Sequence, residues 1–164
     1  MTGGSDGIGK AAADRLAGAG ANVIICARRT DHLRNAAEQI SNGKTSKILP
    51  ITCDVTKPED IKNAVSEAIR LFGSVDILVN NAGIEEYNHF QNYTLEYIEK
   101  ITSVNLIAPM EITRQYLPEL MENGGHIVNI CSLAAKKGES FNATYSSTKG
   151  GLALFTDALR QELH

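Results

Sequence analysis

A tyrosine and a lysine four positions apart, in the run Tyr145-Ser146-Ser147-Thr148-Lys149, are the residues of this chain best suited to moving a proton. On a helix that spacing stacks the two side chains on one face, so the ammonium can approach the phenol. A free tyrosine has a pKa of about 10 and is a poor acid at neutral pH, but a nearby positive charge favours the phenolate. Such a phenol can exchange a proton with an alcohol or a carbonyl. Thirteen residues upstream, Ser132 follows the apolar run His126-Ile127-Val128-Asn129-Ile130-Cys131, which reads as a buried parallel strand. A hydroxyl there lies where open α/β sheets bind ligands. A tyrosine and lysine at this spacing are, by themselves, most often a surface helix pair. The serine-ended strand just upstream and a glycine-rich loop at the amino terminus set this pair apart.

The elements that must position these groups begin with Thr2-Gly3-Gly4-Ser5-Asp6-Gly7-Ile8-Gly9. Glycines at 3, 7 and 9 permit a tight turn and let the backbone approach a pyrophosphate, with Ser5 and Ile8 beside it; the amides opening a helix from about Ile8 to Gly18 would meet its charge. A flexible glycine loop is the plainer alternative. Next come a stop at Gly18-Ala19-Gly20 and a strand over Asn22–Ala27. A dinucleotide fold needs a strand feeding the glycine loop, and here only Met1 precedes it. The Asn22–Ala27 strand ends in Arg28-Arg29, with no acid before Asp31. An acid near this point binds the ribose hydroxyls of NAD, whereas an arginine accommodates the phosphate of NADP. Arg28 is either a solvated charge at a helix start or that phosphate ligand.

A polar helix over Asp31–Ser41 ends at Asn42-Gly43, and a strand over Lys47–Cys53 closes on Asp54-Val55. Thr56-Lys57-Pro58-Glu59 has the capping-box pattern and starts a helix to about Phe72. The strand Val75–Val79 runs into the turn-like Asn80-Asn81-Ala82-Gly83. The segment Ile84–Tyr93 lacks any period and reads as a loop. One helix is expected from about Thr94 to Met121; within it Pro109 deprives the Asn105 carbonyl of its usual donor, leaving it to water or another group. A last helix over Ala143–Leu163 carries the apolar stripe Leu152, Phe155, Leu159 and Leu163.

Composition limits the partners. The chain has 164 residues, 43% of them hydrophobic, enough for one domain with a core, and a net charge of −3 without a basic block argues against nucleic acid. No apolar run approaches the roughly 18 residues of a membrane span and no signal pattern opens the chain, so a cytoplasmic protein is expected. Cys26, Cys53 and Cys131 read as buried thiols rather than disulfides, and no histidine or cysteine spacing suggests a metal.

Thr2-Gly3-x-x-x-Gly7-x-Gly9, Asn80-Asn81-Ala82-Gly83 directly after a strand, and Ser132 with Tyr145-x-x-x-Lys149 together resemble the short-chain dehydrogenase/reductase family over almost the whole chain. The resemblance implies an α/β, Rossmann-like doubly wound parallel sheet that here lacks its first strand and its C-terminal strands. It also implies an oxidoreductase passing hydride between NADP(H), preferred over NAD(H), and a carbonyl or secondary alcohol. Asn105, Ser132, Tyr145 and Lys149 would form the catalytic group, with the Asn105 carbonyl holding a relay water. Gly3, Ser5, Gly7, Ile8, Gly9, Arg28, Asp54 and Val55 would bind the cofactor together with Asn81, Ala82, Gly83, Tyr145 and Lys149. A homo-oligomer paired through the helices at about 94–121 and 143–163 is implied too. An epimerase of the extended branch shares the Tyr-Lys pair but differs in glycine spacing. With a sheet of order 3-2-1-4-5-6 and no strand 1, the flanking strands would face a gap or collapse together, so a non-catalytic fragment that at most binds cofactor or associates with full-length relatives is the alternative.

Overall fold

Strand and helix periods in the sequence are realised with few changes in the computed structural model, which describes residues 1–163. Two units are distinguished: Met1–Ala82 with Ile112–Val128, and Gly83–Glu111 with the chain from Asn129. In the first, helix α1 (Gly7–Gly18) leads to strand β1 (Val23–Ala27), helix α2 (Thr30–Ser41), strand β2 (Ile48–Thr52), helix α3 (Pro58–Phe72) and strand β3 (Ile77–Asn80). β1 and β2 pair in parallel, with Val23 opposite Ile48 and Ala27 opposite Thr52. Pro50 cannot donate to a ladder, and it sits in β2, the outer strand of that pair. Ala13 and Ala17 of α1 and Leu33, Ala36, Ala37 and Ile40 of α2 bury Val23 and Ile25. Small residues on α1 let the helix lie close to the strand.

The gap expected between β1 and β3 is present, the strands forming two separate two-stranded sheets, and Met1 and Thr2 bridge one end of it. Met1 and Thr2 bond to both sides of the gap: the Cys26 N–H donates to the Met1 carbonyl at 2.9 Å, the Thr2 N–H to the Val79 carbonyl at 3.0 Å, and Thr2 makes an isolated parallel bridge to Cys26. The Met1 ammonium donates to the Ile24 carbonyl at 2.8 Å. One end of the seam is thereby closed by main-chain bonds, and the other opens into a cavity of about 240 Å³. On the far side β3 pairs with β4 (His126–Asn129), and the His126 N–H reaches the Asp76 carbonyl.

Two local expectations change. Thr56 makes no capping box; Lys57 is the N-cap, Pro58 opens α3, and the Thr56 hydroxyl and N–H both go to Asp54 instead. The single helix expected over Thr94–Met121 is three pieces: α4 (Leu95–Thr102), a π-helical segment Ser103–Ile107, and α5 (Ala108–Asn123). The Ala108 N–H reaches back five residues to Ser103, and Pro109 follows directly as the helix continues into α5. The second unit holds α4, the π-helical segment, a short 3-10 turn Leu133–Ala135 and α6 (Ala143–Glu162), with Ile101, Val104 and Leu152 buried. Among the described residues no helix is long and apolar enough to cross a membrane.

Cys26 and Cys53 are buried and Cys131 half-buried, all free thiols. Burial above all, with the nearby Cys26, Asp60 and Asp54, pushes the Cys53 thiol up to about 12. Titration with a thiol reagent at pH 8 is therefore expected to modify Cys131 alone before unfolding; rapid reaction of two or three thiols would show that Cys26 or Cys53 is reached in the folded chain.

Candidate active site

In the first unit the glycine loop is tied to the turn after β3. The Thr2 hydroxyl accepts from the main-chain N–H groups of Asn81 and Ala82, each at 3.0 Å, and the Asn81 amide donates back to the carbonyls of Thr2 at 3.0 Å and Gly3 at 3.2 Å. Gly9 packs into the same knot: a Cβ there would collide with the Gly3 carbonyl and the Asn81 amide. Gly7 meets a different requirement. Its φ of +52° is left-handed, and nothing lies within 4 Å of where a Cβ would be, so the opening of α1 presents bare backbone to an approaching group. Asp6 caps that helix, its carboxylate accepting from the Gly7 N–H at 2.8 Å. Ser5 is half-buried beside it and Ile8 is exposed.

At the end of β1 Arg28 is exposed, and its charge acts on the Asp54 carboxyl. Burial pushes that carboxyl up, but hydrogen bonds from Thr56 and the charges of Arg28 and Lys57 outweigh it and hold Asp54 below the ordinary value. Val55, next in sequence, is buried. These residues and the glycine loop lie at one end of β1 and β2, the carboxyl end where such sheets bind nucleotides.

The second unit carries the proton-handling residues. Tyr145 and Lys149 lie one turn apart on α6, with the Lys149 ammonium 5.8 Å from the tyrosine ring centroid. Lys149 is only 5% exposed and its ammonium donates to the Ile130 carbonyl at 2.8 Å. Burial pulls its pKa below that of a free lysine, while Cys131 and Glu85 pull the other way. Ser132 caps the Leu133–Ala135 turn, its hydroxyl accepting from the Ala134 N–H at 3.1 Å. Asn105, fully buried in the π-helical segment, grips Ile84 from both sides: its side-chain oxygen accepts from the Ile84 N–H and its amide donates to the Ile84 carbonyl, both at 2.8 Å. The same amide reaches the Thr148 hydroxyl at 3.3 Å. One side chain thus joins the residue after Gly83 to the turn of α6 that carries Lys149.

Two features escaped sequence reasoning. Thr2 was legible only as the first letter of the glycine motif, although its hydroxyl organises the loop. The aperiodic segment Ile84–Tyr93 is held against the approach to α6: the Tyr93 hydroxyl donates to the Phe141 carbonyl at 3.1 Å, the Asn88 N–H to the same carbonyl at 2.8 Å, and the Asn142 amide to Glu85 at 2.6 Å. Phe141 adopts a left-handed φ of 64°, a strained setting for an aromatic residue. No periodicity signals contacts of this kind, because they are made by isolated side chains on loops.

Comparison with known proteins agrees with the motifs. The model of the short chain dehydrogenase family matches residues 1–164. The chain belongs to the short-chain dehydrogenase family. Among its curated relatives is the "Ketoacyl reductase HetN" of Nostoc sp., 43% identical over 164 residues, which cover 99% of this chain and 57% of the relative. The solved actinorhodin polyketide ketoreductase with NADPH is 34% identical at a TM-score of 0.95, matching 99% of this chain and 63% of its own. L-Sorbose reductase from Gluconobacter frateurii, complexed with NADPH and L-sorbose, is 30% identical at the same TM-score, with 62% of its chain matched. This short-chain dehydrogenase therefore has the Rossmann α/β fold, and it spans 57% of the length of HetN.

If the Thr2 hydroxyl organises the loop, Thr2→Val leaves two main-chain N–H groups without an acceptor. Their desolvation is expected to cost on the order of 2 kcal/mol, lowering the melting temperature by about 2–4 °C for each kcal/mol. Thr2→Ser, which keeps the oxygen, should melt close to the parent in the same calorimetric scan.

Proposed function

We propose that this chain is the cofactor-binding and proton-transferring part of an oxidoreductase that interconverts a carbonyl and a secondary alcohol with NADP(H). The observation that carries the reading is the Tyr145–Lys149 pair, a phenol with a buried ammonium 5.8 Å from its ring. When bound, the nicotinamide would supply or receive the hydride; the chain's own residues bind, orient and handle the proton. Tyr145 gives a proton to the carbonyl oxygen in reduction and takes it back in oxidation. The Lys149 charge stabilises negative charge on the phenol oxygen as the proton moves, and the ammonium would also hold the nicotinamide ribose. Ser132 hydrogen-bonds the reacting oxygen. Asn105 is assigned the anchoring of a relay water through its main-chain carbonyl, its side chain being engaged with Ile84 and Thr148.

Fit to a dinucleotide rests on the open space beside Gly7, where no atom lies within 4 Å of a Cβ position, and on the exposed charge of Arg28. We assign Gly3, Ser5, Gly7, Ile8 and Gly9 to the pyrophosphate, Arg28 to the 2′-phosphate, Asp54 and Val55 to the adenine, and Asn81, Ala82 and Gly83 to the border of the site. NADPH in the actinorhodin ketoreductase and in L-sorbose reductase supports the choice of NADP(H). Self-association through the two helical regions is part of the same reading, supported by the apolar surface of Ile107 and of Leu154, which is 73% exposed.

Fluorescence titration with NADPH and NADH tests the cofactor. NADPH should bind more tightly, and Arg28→Ala should remove about 10- to 100-fold of its affinity while leaving NADH unchanged. Equal dissociation constants for the two cofactors, or no effect of Arg28→Ala, would contradict the assignment. For the chemistry, Tyr145→Phe should cut turnover of a ketone panel by about 10²- to 10⁴-fold with NADPH affinity retained; unchanged turnover would remove Tyr145 from the reaction.

A further inference from the structure

In the second unit the loop after Gly83 and the approach to α6 bring two carboxylates together, and the chemistry above uses neither. Glu85 accepts from the side-chain amide nitrogen of Asn142 at 2.6 Å, and Glu139 accepts from the same nitrogen at 3.4 Å. The Tyr87 hydroxyl also donates to Glu139, at 3.0 Å. That hydrogen bond above all, with the charges of Glu139 and Glu85 behind it, pushes the Tyr87 phenol up, so both acids stand beside it. Both are exposed, and no lysine or arginine among the described residues is ion-paired with either. Like charges gathered at one nitrogen repel, and no cation in contact offsets this. Asn142 is fully buried, and turning its nitrogen toward the pair leaves its side-chain oxygen without a donor. Flipping the amide would not help, because it would set that oxygen against the carboxylates. A buried acceptor without a partner is rare in folded proteins and calls for a reason. What is left over in this cluster is acceptors only, so a ligand completing it must bring donors and positive charge. A protonated primary amine brings both and no acceptor. The exposed rings of Tyr87 and Phe141, one bonded to Glu139 and the other next to Asn142 in sequence, offer apolar surface to its carbon skeleton. Asn142 precedes Tyr145 by three residues at the start of α6, about one helical turn, and Glu85 is near enough to Lys149 to act on its charge.

We propose that Glu85 and Glu139 form a subsite for the ammonium group of the substrate, so that the carbonyl compound or alcohol handled at Tyr145 carries a protonated primary amine. This names the substrate class of the reaction proposed above and rests on that reading for the part played by Tyr145. The carboxylates bind the cation, Asn142 holds them at one point, and the bound amine orients the rest of the molecule toward the phenol. Discrimination comes from repulsion as much as attraction: a neutral isostere leaves the two acids facing each other, and an anionic one adds a further like charge.

Two measurements on the 164-residue chain test this. Benzylammonium titrated without cofactor should bind saturably and shift the side-chain amide signals of Asn142 in NMR spectra. Benzyl alcohol, its neutral isostere, should bind about tenfold more weakly, as expected when a charge-assisted hydrogen bond is lost. With NADPH present, 4-(aminomethyl)acetophenone should be reduced with a KM about tenfold below that of 4-ethylacetophenone. Glu85→Gln combined with Glu139→Gln keeps an acceptor for the Asn142 amide and removes both charges, and it should bring both ratios to about one. Equal binding of benzylammonium and benzyl alcohol overturns the proposal, as does binding that leaves the Asn142 amide unshifted or a preference that survives the double substitution. Reduction of both ketones at similar KM also overturns it, while leaving the reaction at Tyr145 standing. Binding of benzylammonium with reduction of neither ketone upholds the subsite and counts against the reaction instead.

Discussion

Two main-chain N–H groups, of Asn81 and Ala82, converge on the hydroxyl of Thr2, and the first unit is arranged around that convergence. The glycine loop must turn sharply away from the end of a strand, which would leave its peptide groups and those of the neighbouring turn short of partners. Thr2 and the Asn81 amide exchange those bonds between the two segments, and Gly9 allows them to come close enough. Buried main-chain polar groups that go unpaired cost on the order of 1–3 kcal/mol each, against a domain stability of roughly 5–15 kcal/mol. Met1 and Thr2 are held from both sides, by main-chain bonds to Cys26 and to Val79.

The second unit solves a different problem, that of keeping a cation buried beside a phenol. Burial works against the Lys149 charge, and the Ile130 carbonyl at 2.8 Å is the compensation placed nearest to it. Asn105 makes that arrangement rigid by gripping Ile84 and the Thr148 hydroxyl from within a π-helical segment. Such segments interrupt the regular ladder and recur at functional sites. Here the extra residue per turn turns an asparagine inward just before Pro109.

Much of this was legible in the sequence. The boundaries of α1, β1, α2 and α3 followed from period and punctuation to within a residue or so, and the Tyr145–Lys149 pair from helical spacing together with the serine-ended strand and the glycine loop upstream. What was not legible came from competition between local options. Thr56 had two partners within reach and took Asp54 over the helix amides, so the capping box did not form. The single helix expected around Pro109 is instead interrupted by the π-helical segment just before it. The loop after Gly83 could not be read because its contacts, Tyr93 to Glu86 and Asn142 to Glu85, follow no period. The seam beside β1 shows the limit of counting strands: two residues with the right main-chain bonds suffice to hold one end of it, a matter of hydrogen-bond register that hydrophobic pattern does not encode.

The central claim is that Met1 and Thr2 belong to the core of the first unit. Native-state hydrogen exchange tests it residue by residue. The amides of Thr2, Cys26, Asn81 and Ala82 are predicted to exchange only through global unfolding, with the same free energy as the amide of the fully buried Ile25. Exchange of Thr2, Asn81 and Ala82 through a low-energy local opening, while Ile25 stays protected, would contradict the account.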